Sequence, residues 1–226
     1  MSAQNHRGKF ITIEGLDGCG KSTQLRHLAE ALRAEGLDVV VTREPGGTSI
    51  GEKIRAVLLD AATSGLSPWA ELALMFASRA QHIDEVILPA LAAGKWVLCD
   101  RFTDSSEAYQ GGGRKLGSAA VLELHRVLCR DLQPDLTVLM DSDPAASVAR
   151  ARRRNLALAG GQNENRFEQE NRAFFAAVRD QYLEIARREP RRMLVVDARP
   201  PIEAVAAEIL AGVRHRLLGA ETAGKS

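Results

Sequence analysis

Residues 14 to 23 read "EGLDGCGKST", and the class of the whole chain follows from what flanks them. Gly15, Gly20, Lys21 and Ser22 satisfy the spacing G-x-x-x-x-G-K-[ST], in which glycines let the backbone curl until its N–H groups converge on phosphate oxygens. Upstream, Lys9 to Ile13 predict a buried strand; downstream, Leu25, Leu28, Ala29 and Leu32 recur at i, i+3, i+4 and i+7 and predict a helix that ends near Gly36. A loop between a strand and a helix N-terminus presents free N–H groups and the positive end of the helix dipole to an anion. The nine residues Gly15, Leu16, Asp17, Gly18, Cys19, Gly20, Lys21, Ser22 and Thr23 therefore form the candidate phosphate cradle. Within it Lys21 reaches the outer phosphates and the Ser22 hydroxyl ligates Mg²⁺; an ordinary glycine-rich turn is the alternative. Cys19 reads as a small filler. Asp17 is the anomaly, since a carboxylate pointing inward would repel phosphate. Its side chain is expected on the opposite, acceptor side of the loop, where it could also reach Mg²⁺ through water, with a loop-bracing bond to nearby backbone as the alternative.

Further strands are predicted at 39–43, 96–100, 136–141 and 193–197, separated by helical patterns. Short apolar strands alternating with amphipathic helices predict an α/β fold, a parallel sheet covered on both faces. Arg43, Asp100 and Asp141 close three of these strands, where ligands of open α/β sheets bind. The 226 residues fit one domain over 1–226, with a frayed tail at 219–226. A net charge of +1 excludes a global bias toward nucleic acid or membrane, and no 18-residue apolar run is present. Three cysteines without metal spacing and no signal peptide give a cytoplasmic expectation. Histidines 6, 27, 82, 125 and 215 form no triad or metal set and read as surface or helix residues.

The segment "DRFTDSSEAYQGGGR", residues 100 to 114, joins Asp100, able to hold Mg²⁺ through water, to Arg101, able to clamp a second phosphate; an ordinary surface pair is the alternative. With the loop, this segment, "TREPGGT", "PDLTVLMD" and "NRFEQE" the chain resembles the thymidylate kinases from the loop to the last helix. The resemblance implies the P-loop NTPase fold with a five-stranded sheet and a short mobile lid. It also implies phosphoryl transfer from ATP to dTMP with Mg²⁺, and a homodimer. Arg43, Glu44 and Arg55 then match positions that orient catalysis and hold the acceptor phosphate, and Arg101 matches another phosphate-holding arginine. Ser106 and Gln110 match residues beside thymine, Tyr109 one that crowds the place of a ribose 2′-hydroxyl, and Asp17 a loop carboxylate that accepts from the 3′-hydroxyl.

Ser67-Pro68 opens a helix as N-cap and first residue, and Leu72, Phe76, Arg79 and Ile83 share a face. In the family a phenylalanine of this helix stacks on thymine and an arginine bonds its carbonyl. Phe76 and Arg79 match them three apart, whereas some members place them four apart, which leaves Met75 as the alternative stacking residue. The basic stretch at about 150–170 contains Gly160-Gly161 and reads as the lid. The family carries its catalytic arginine either in the loop or in the lid. Gly18 occupies the loop position, so the lid style is implied, with Arg166 the candidate and Arg150, Arg152, Arg153 and Arg154 a solvated helix end or its rivals. The catalytic set is thus Lys21, Arg101, Arg166 and Asp17. A kinase of UMP or CMP and a P-loop switch protein are the rival readings; the N-K-x-D motif usual in switch GTPases is missing.

Overall fold

The computed structural model describes residues 7–60, 63, 65–157 and 166–219. Five strands, β1 (Phe10–Gly15), β2 (Val39–Arg43), β3 (Trp96–Asp100), β4 (Leu136–Asp141) and β5 (Met193–Asp197), form one sheet in the order β2-β3-β1-β4-β5. Every pairing is parallel. The first strand starts and ends later than the expected 9–13, because Glu14 and Gly15 still pair with Leu139 and Met140 before the chain turns. Chain reversal between parallel strands needs long crossovers, which is why helices separate every pair.

Helices α1 (Lys21–Ala34), α2 (Ser49–Leu59), α3 (Pro68–His82), α4 (Leu88–Ala92), α5 (Thr103–Ser106), α6 (Ser118–Leu128), α7 (Pro144–Ala157), α8 (Arg172–Arg188) and α9 (Ile202–Val213) flank the sheet. On one face Leu25, Leu28 and Leu32 of α1 meet Val205, Ile209 and Val213 of α9 over Ile11, Ile13 and Val138. On the other, Leu72 and Phe76 of α3 and Val121 of α6 pack with Phe10, Val97 and Phe102. A third cluster unites Leu16 of the loop, Tyr109, Phe167, Phe174 and Tyr182. Helix starts are capped as their residue types demand: Thr48, Ser67 and Asn171 side chains accept from Gly51, Ala70 and Phe174 N–H groups.

Wide π-helical stretches prolong three helices among the described residues, Ile83–Ile87 after α3, Glu107–Gly113 after α5 and Arg214–Leu218 after α9. The second carries Tyr109 and Gln110 and ends in glycines because α8 lies against it: a Cβ on Gly112 would come 2.7 Å from the Gln181 Cβ. No helix among the described residues is long and apolar enough to cross a membrane. The lid segment 158–165, with Gly160-Gly161, and the tail 220–226 lie outside the described residues.

Leu32 is fully buried between α1 and the sheet. Leu32→Ala is expected to lower the unfolding free energy by about 2–5 kcal/mol through lost transfer energy and a residual cavity. Urea titration checks this; a loss well under 1 kcal/mol would mean that this face repacks freely.

Candidate active site

The sheet register brings the candidate residues to one edge. Ile13 and Arg43 each align with Asp100, and Asp141 aligns with Asp197, so the loop after β1 opens among the carboxyl ends of its neighbours. The loop itself turns through left-handed glycines, φ 80° at Gly18 and 102° at Gly20. Gly18 also sits against α7, where an added Cβ would lie 2.2 Å from the Ser147 carbonyl oxygen. Lys21, almost buried, donates to the carbonyls of Gly15 and Leu16 at 3.1 and 2.9 Å. Cys19 is buried, and its thiol is pushed up by desolvation, so it fills space and offers no thiolate.

Ser22 Oγ donates to Asp100 Oδ2 at 3.0 Å, while the buried Asp100 Oδ1 has no hydrogen-bond partner among the described residues. A hydroxyl and a carboxylate with a spare oxygen form the hard, all-oxygen donor set that suits Mg²⁺. The residues expected to hold that ion therefore fit it.

Asp17 reaches beyond the loop to Arg101 and Tyr109. Its Oδ1 accepts from Arg101 Nη2 at 2.8 Å and its Oδ2 from the Tyr109 hydroxyl at 3.3 Å, with Lys21 Nζ 4.0 Å off. The Arg101 guanidinium also lies 4.9 Å from the Tyr109 ring centroid. Burial works against the charge of Arg101, but Asp17 and the surrounding phenols and carboxylates outweigh it and raise its pKa. Tyr109 is pushed up by desolvation and stays a neutral phenol.

Arg79 is buried, 2% exposed. Its Nε donates to Glu44 Oε2 at 2.7 Å, and its Nη2 to the Phe102 carbonyl and Ser106 Oγ at 3.0 Å each. Its Nη1 is buried with no partner among the described residues. Glu44 in turn bonds His82 Nδ1 at 2.9 Å, and desolvation of its carboxylate is overridden by Arg79 and His82, so its pKa is lowered. Gln110 Nε2 donates to the buried Glu71 at 2.8 Å. A carboxylate only accepts, so the amide oxygen of Gln110 is turned away from it.

Other candidates stand elsewhere. Phe76 is 0% exposed and belongs to the core beneath Arg79, whose guanidinium lies 4.7 Å from its centroid. Met75, half-buried, packs instead with the cluster around Tyr109. Phe76 is closed off from solvent, and the neighbouring Met75 is the partly exposed position. Arg43 extends to solvent and pairs with Glu52 at 3.0 Å, and Arg55 Nη1 donates to the Pro45 carbonyl at 3.0 Å. Arg166 is held on Glu71 at 2.8 Å, donates to the Leu58 carbonyl and stacks 4.5 Å over Phe167. Arg150, one of the rivals, reaches the loop: its Nε donates to the Gly18 carbonyl at 2.8 Å.

Sequence reasoning missed Glu14, Glu71, Ser105, Arg114 and Tyr182. Glu71 is wholly buried and gathers Gln110, Arg114 and Arg166. Its signal was available, an acid next to the apolar stripe of a helix whose buried face also carries Arg79. His82 and His125 are helix residues, as expected, and both are buried; His125 is lowered to about 4 by desolvation and Arg79. Glu44, His82 and Cys99 bring ligand atoms within 4.8 Å of one another, a grouping invisible in the sequence, yet His82 is already spent on Glu44 and Thr42 and Cys99 donates to the Arg101 carbonyl.

Residues 13–209 match the family model described as thymidylate kinase. A thymidylate kinase of Pelobacter propionicus is 50% identical over 211 residues, spanning 93% of this chain and 96% of the relative. One from Thiobacillus denitrificans is 52% identical over 202 residues, 89% of this chain and 94% of the relative. The crystal structure of thymidylate kinase from Ehrlichia chaffeensis superposes with a TM-score of 0.74 at 33% identity, over 92% of this chain and 99% of that one.

The Glu44–Arg79 pair carries a pH signature. Glu44 has a lowered native pKa, so its stabilisation is complete above the unfolded carboxylate value of about 4.3 and is lost as pH falls through the native value. Glu44→Gln leaves Arg79 buried and uncompensated, an expected loss of about 3–5 kcal/mol at pH 7 that shrinks below pH of about 4. Urea unfolding of both proteins across that range checks it; a penalty independent of pH would remove the charge from the explanation.

Proposed function

The chain belongs to the thymidylate kinase family and is an enzyme that transfers a phosphoryl group from ATP to dTMP, giving dTDP and ADP; we propose that the residues converging on this sheet edge divide the work as follows. The backbone of residues 15–23 cradles the ATP phosphates, and Lys21 leaves its carbonyl partners to reach the outer ones. Mg²⁺, when bound, neutralises charge on the phosphates, and Ser22 with Asp100, the latter through water, would hold it. Arg101 clamps the acceptor phosphate, with Arg43 and Arg55 within reach of the same region once they leave their present partners.

The observation that carries the acceptor assignment is Arg79 Nη1, a buried cationic donor without a partner among the described residues. An unpaired buried donor is costly, and a base carbonyl would satisfy it. Beside it Ser106 steadies the guanidinium and Gln110, its oxygen turned from Glu71, can accept from a ring N–H. Phe76 backs Arg79 from the core, and stacking on the base falls to Met75. Asp17, already on the acceptor side with Tyr109, accepts from the 3′-hydroxyl, while the Tyr109 ring excludes a 2′-hydroxyl. Glu44 holds Arg79 in place.

No strong base is needed. The second pKa of a phosphate monoester is about 6, so the attacking oxygen is mostly deprotonated at neutral pH. Catalysis is positioning of two polyanions and stabilisation of charge at the transferring group. The lid supplies the final arginine. Arg166 takes that role if it swings off Glu71; a second reading gives it to Arg150, favoured by its contact with the Gly18 carbonyl. We propose further that the enzyme is cytoplasmic and homodimeric. The dimer is supported by exposed Val57, Trp69, Val127 and Leu128 on α2, α3 and α6.

ADP release measured across dTMP, dUMP, UMP, CMP, GMP and AMP tests the assignment. dTMP is expected to far exceed UMP, and dUMP to remain a weak substrate because one methyl contributes only about 1–3 kcal/mol; equal kcat/KM for dTMP and UMP would sink it. For the lid, Arg166→Ala is expected to lower kcat by about 10³-fold or more with little change in ATP affinity. A near-native Arg166→Ala beside a crippled Arg150→Ala would move the role to Arg150.

A further inference from the structure

One buried carboxylate of the site has no part in the division of work above. Glu14 is the next-to-last residue of β1, just before the phosphate loop, and is 0% exposed. Its Oε1 accepts from the Phe102 N–H at 2.7 Å. Its Oε2 accepts from the Ser105 hydroxyl at 2.5 Å and the Tyr182 hydroxyl at 2.9 Å. The same two hydroxyl oxygens face Arg101 Nη1, at 2.9 Å from Ser105 and 3.2 Å from Tyr182. On its far side the guanidinium meets Asp17.

Proton counting fixes the polarity of this network. Ser105 and Tyr182 each own one hydroxyl proton, a carboxylate can only accept, and a guanidinium can only donate. Ser105 Oγ and the Tyr182 hydroxyl oxygen also lie 2.9 Å apart, where either could donate to the other. With Glu14 ionised, the arrangement that makes all four contacts to Glu14 and Arg101 points both protons at Glu14 and a lone pair of each oxygen at Arg101. We propose that Glu14 is a positioning residue for phosphoryl transfer, which by holding the Ser105 and Tyr182 protons turns their oxygens toward Arg101 and so fixes the guanidinium that clamps the acceptor phosphate.

Two observations show that Arg101 needs such a hold. Its backbone has φ 75°, the left-handed region that a side-chain-bearing residue rarely adopts, so the side chain leaves β3 at an unusual angle. Its own backbone N–H is tied to the Ile13 carbonyl, one residue before Glu14, so both ends of Arg101 are referenced to the end of β1. The groups around Glu14 are Asp104 and Ser105 of α5, Arg101 and Phe102 after β3, and Tyr182 of α8. Burial and Asp104 raise its carboxyl to about 7, with Arg101 opposing.

The role rests on the reading of Arg101 as the acceptor-phosphate clamp, and the test separates the two. Glu14→Gln reverses the polarity without changing the shape. Its amide must present N–H groups either to the Phe102 N–H or to the hydroxyl pair, whose protons then turn on Arg101. Assayed at pH 8, Glu14→Gln is expected to lower kcat/KM for dTMP by about 10- to 100-fold, the scale of a small misplacement of a reacting group. KM for ATP should stay within about twofold, because the cradle is untouched. In an Arg101→Ala background the same change should cost less than about threefold, since Glu14 acts only through that guanidinium. Equal losses in both backgrounds, or a Glu14→Gln enzyme with native kcat/KM for dTMP, would overturn the proposal. If Glu14→Gln fails to fold, Tyr182→Phe and Ser105→Ala decide in the same two backgrounds, where non-additivity supports it and additivity rejects it. A wild-type enzyme inactive on dTMP would instead remove the acceptor reading itself.

Discussion

The site depends on a constraint of strand direction. All five strands run the same way, so every carboxyl end emerges at one edge, and β1, placed between β3 and β4, opens its loop with a neighbour on either side. That arrangement puts a cradle of backbone N–H groups within a side chain's length of Asp100 and Arg101 from β3. Reversing a single strand would separate them. Phosphate binding comes from backbone geometry, and what is asked of the side chains is orientation.

Orientation is achieved with buried charge. Glu44, Glu71 and Glu14 are each almost or wholly enclosed, and each holds a cation, an amide or a hydroxyl pair at the edge of the acceptor region. Buried ion pairs are a poor source of stability, because desolvation consumes most of the Coulombic gain. Their return here is rigidity. Arg79 is fixed by three partners so that one nitrogen is left over in a known direction.

The sheet, its helices and the phosphate loop were legible in the sequence because they are written in local periods: alternating apolar runs, a 3.6-residue stripe and a fixed glycine spacing. The bond from Arg101 to Asp17 was not legible, because the two stand 84 residues apart in the chain. The facing of Phe76 was not legible either, since a helix stripe says which residues share a side but not where that side ends, and one position separates core from cleft. Glu14 and Tyr182 were illegible for the same reason as that bond. They are 168 residues apart and meet only through the fold, and a carboxylate at a strand end gives no local sign of whom it orders.

Gly18 carries one more consequence. Its place leaves no room for a side chain, since the first atom of one would fall 2.2 Å from the Ser147 carbonyl oxygen at the root of the lid helix. On this backbone any side chain at position 18, an arginine included, would lever α7 off the cradle. Adding one is therefore a change of architecture, and no single substitution at position 18 can be made without moving that helix.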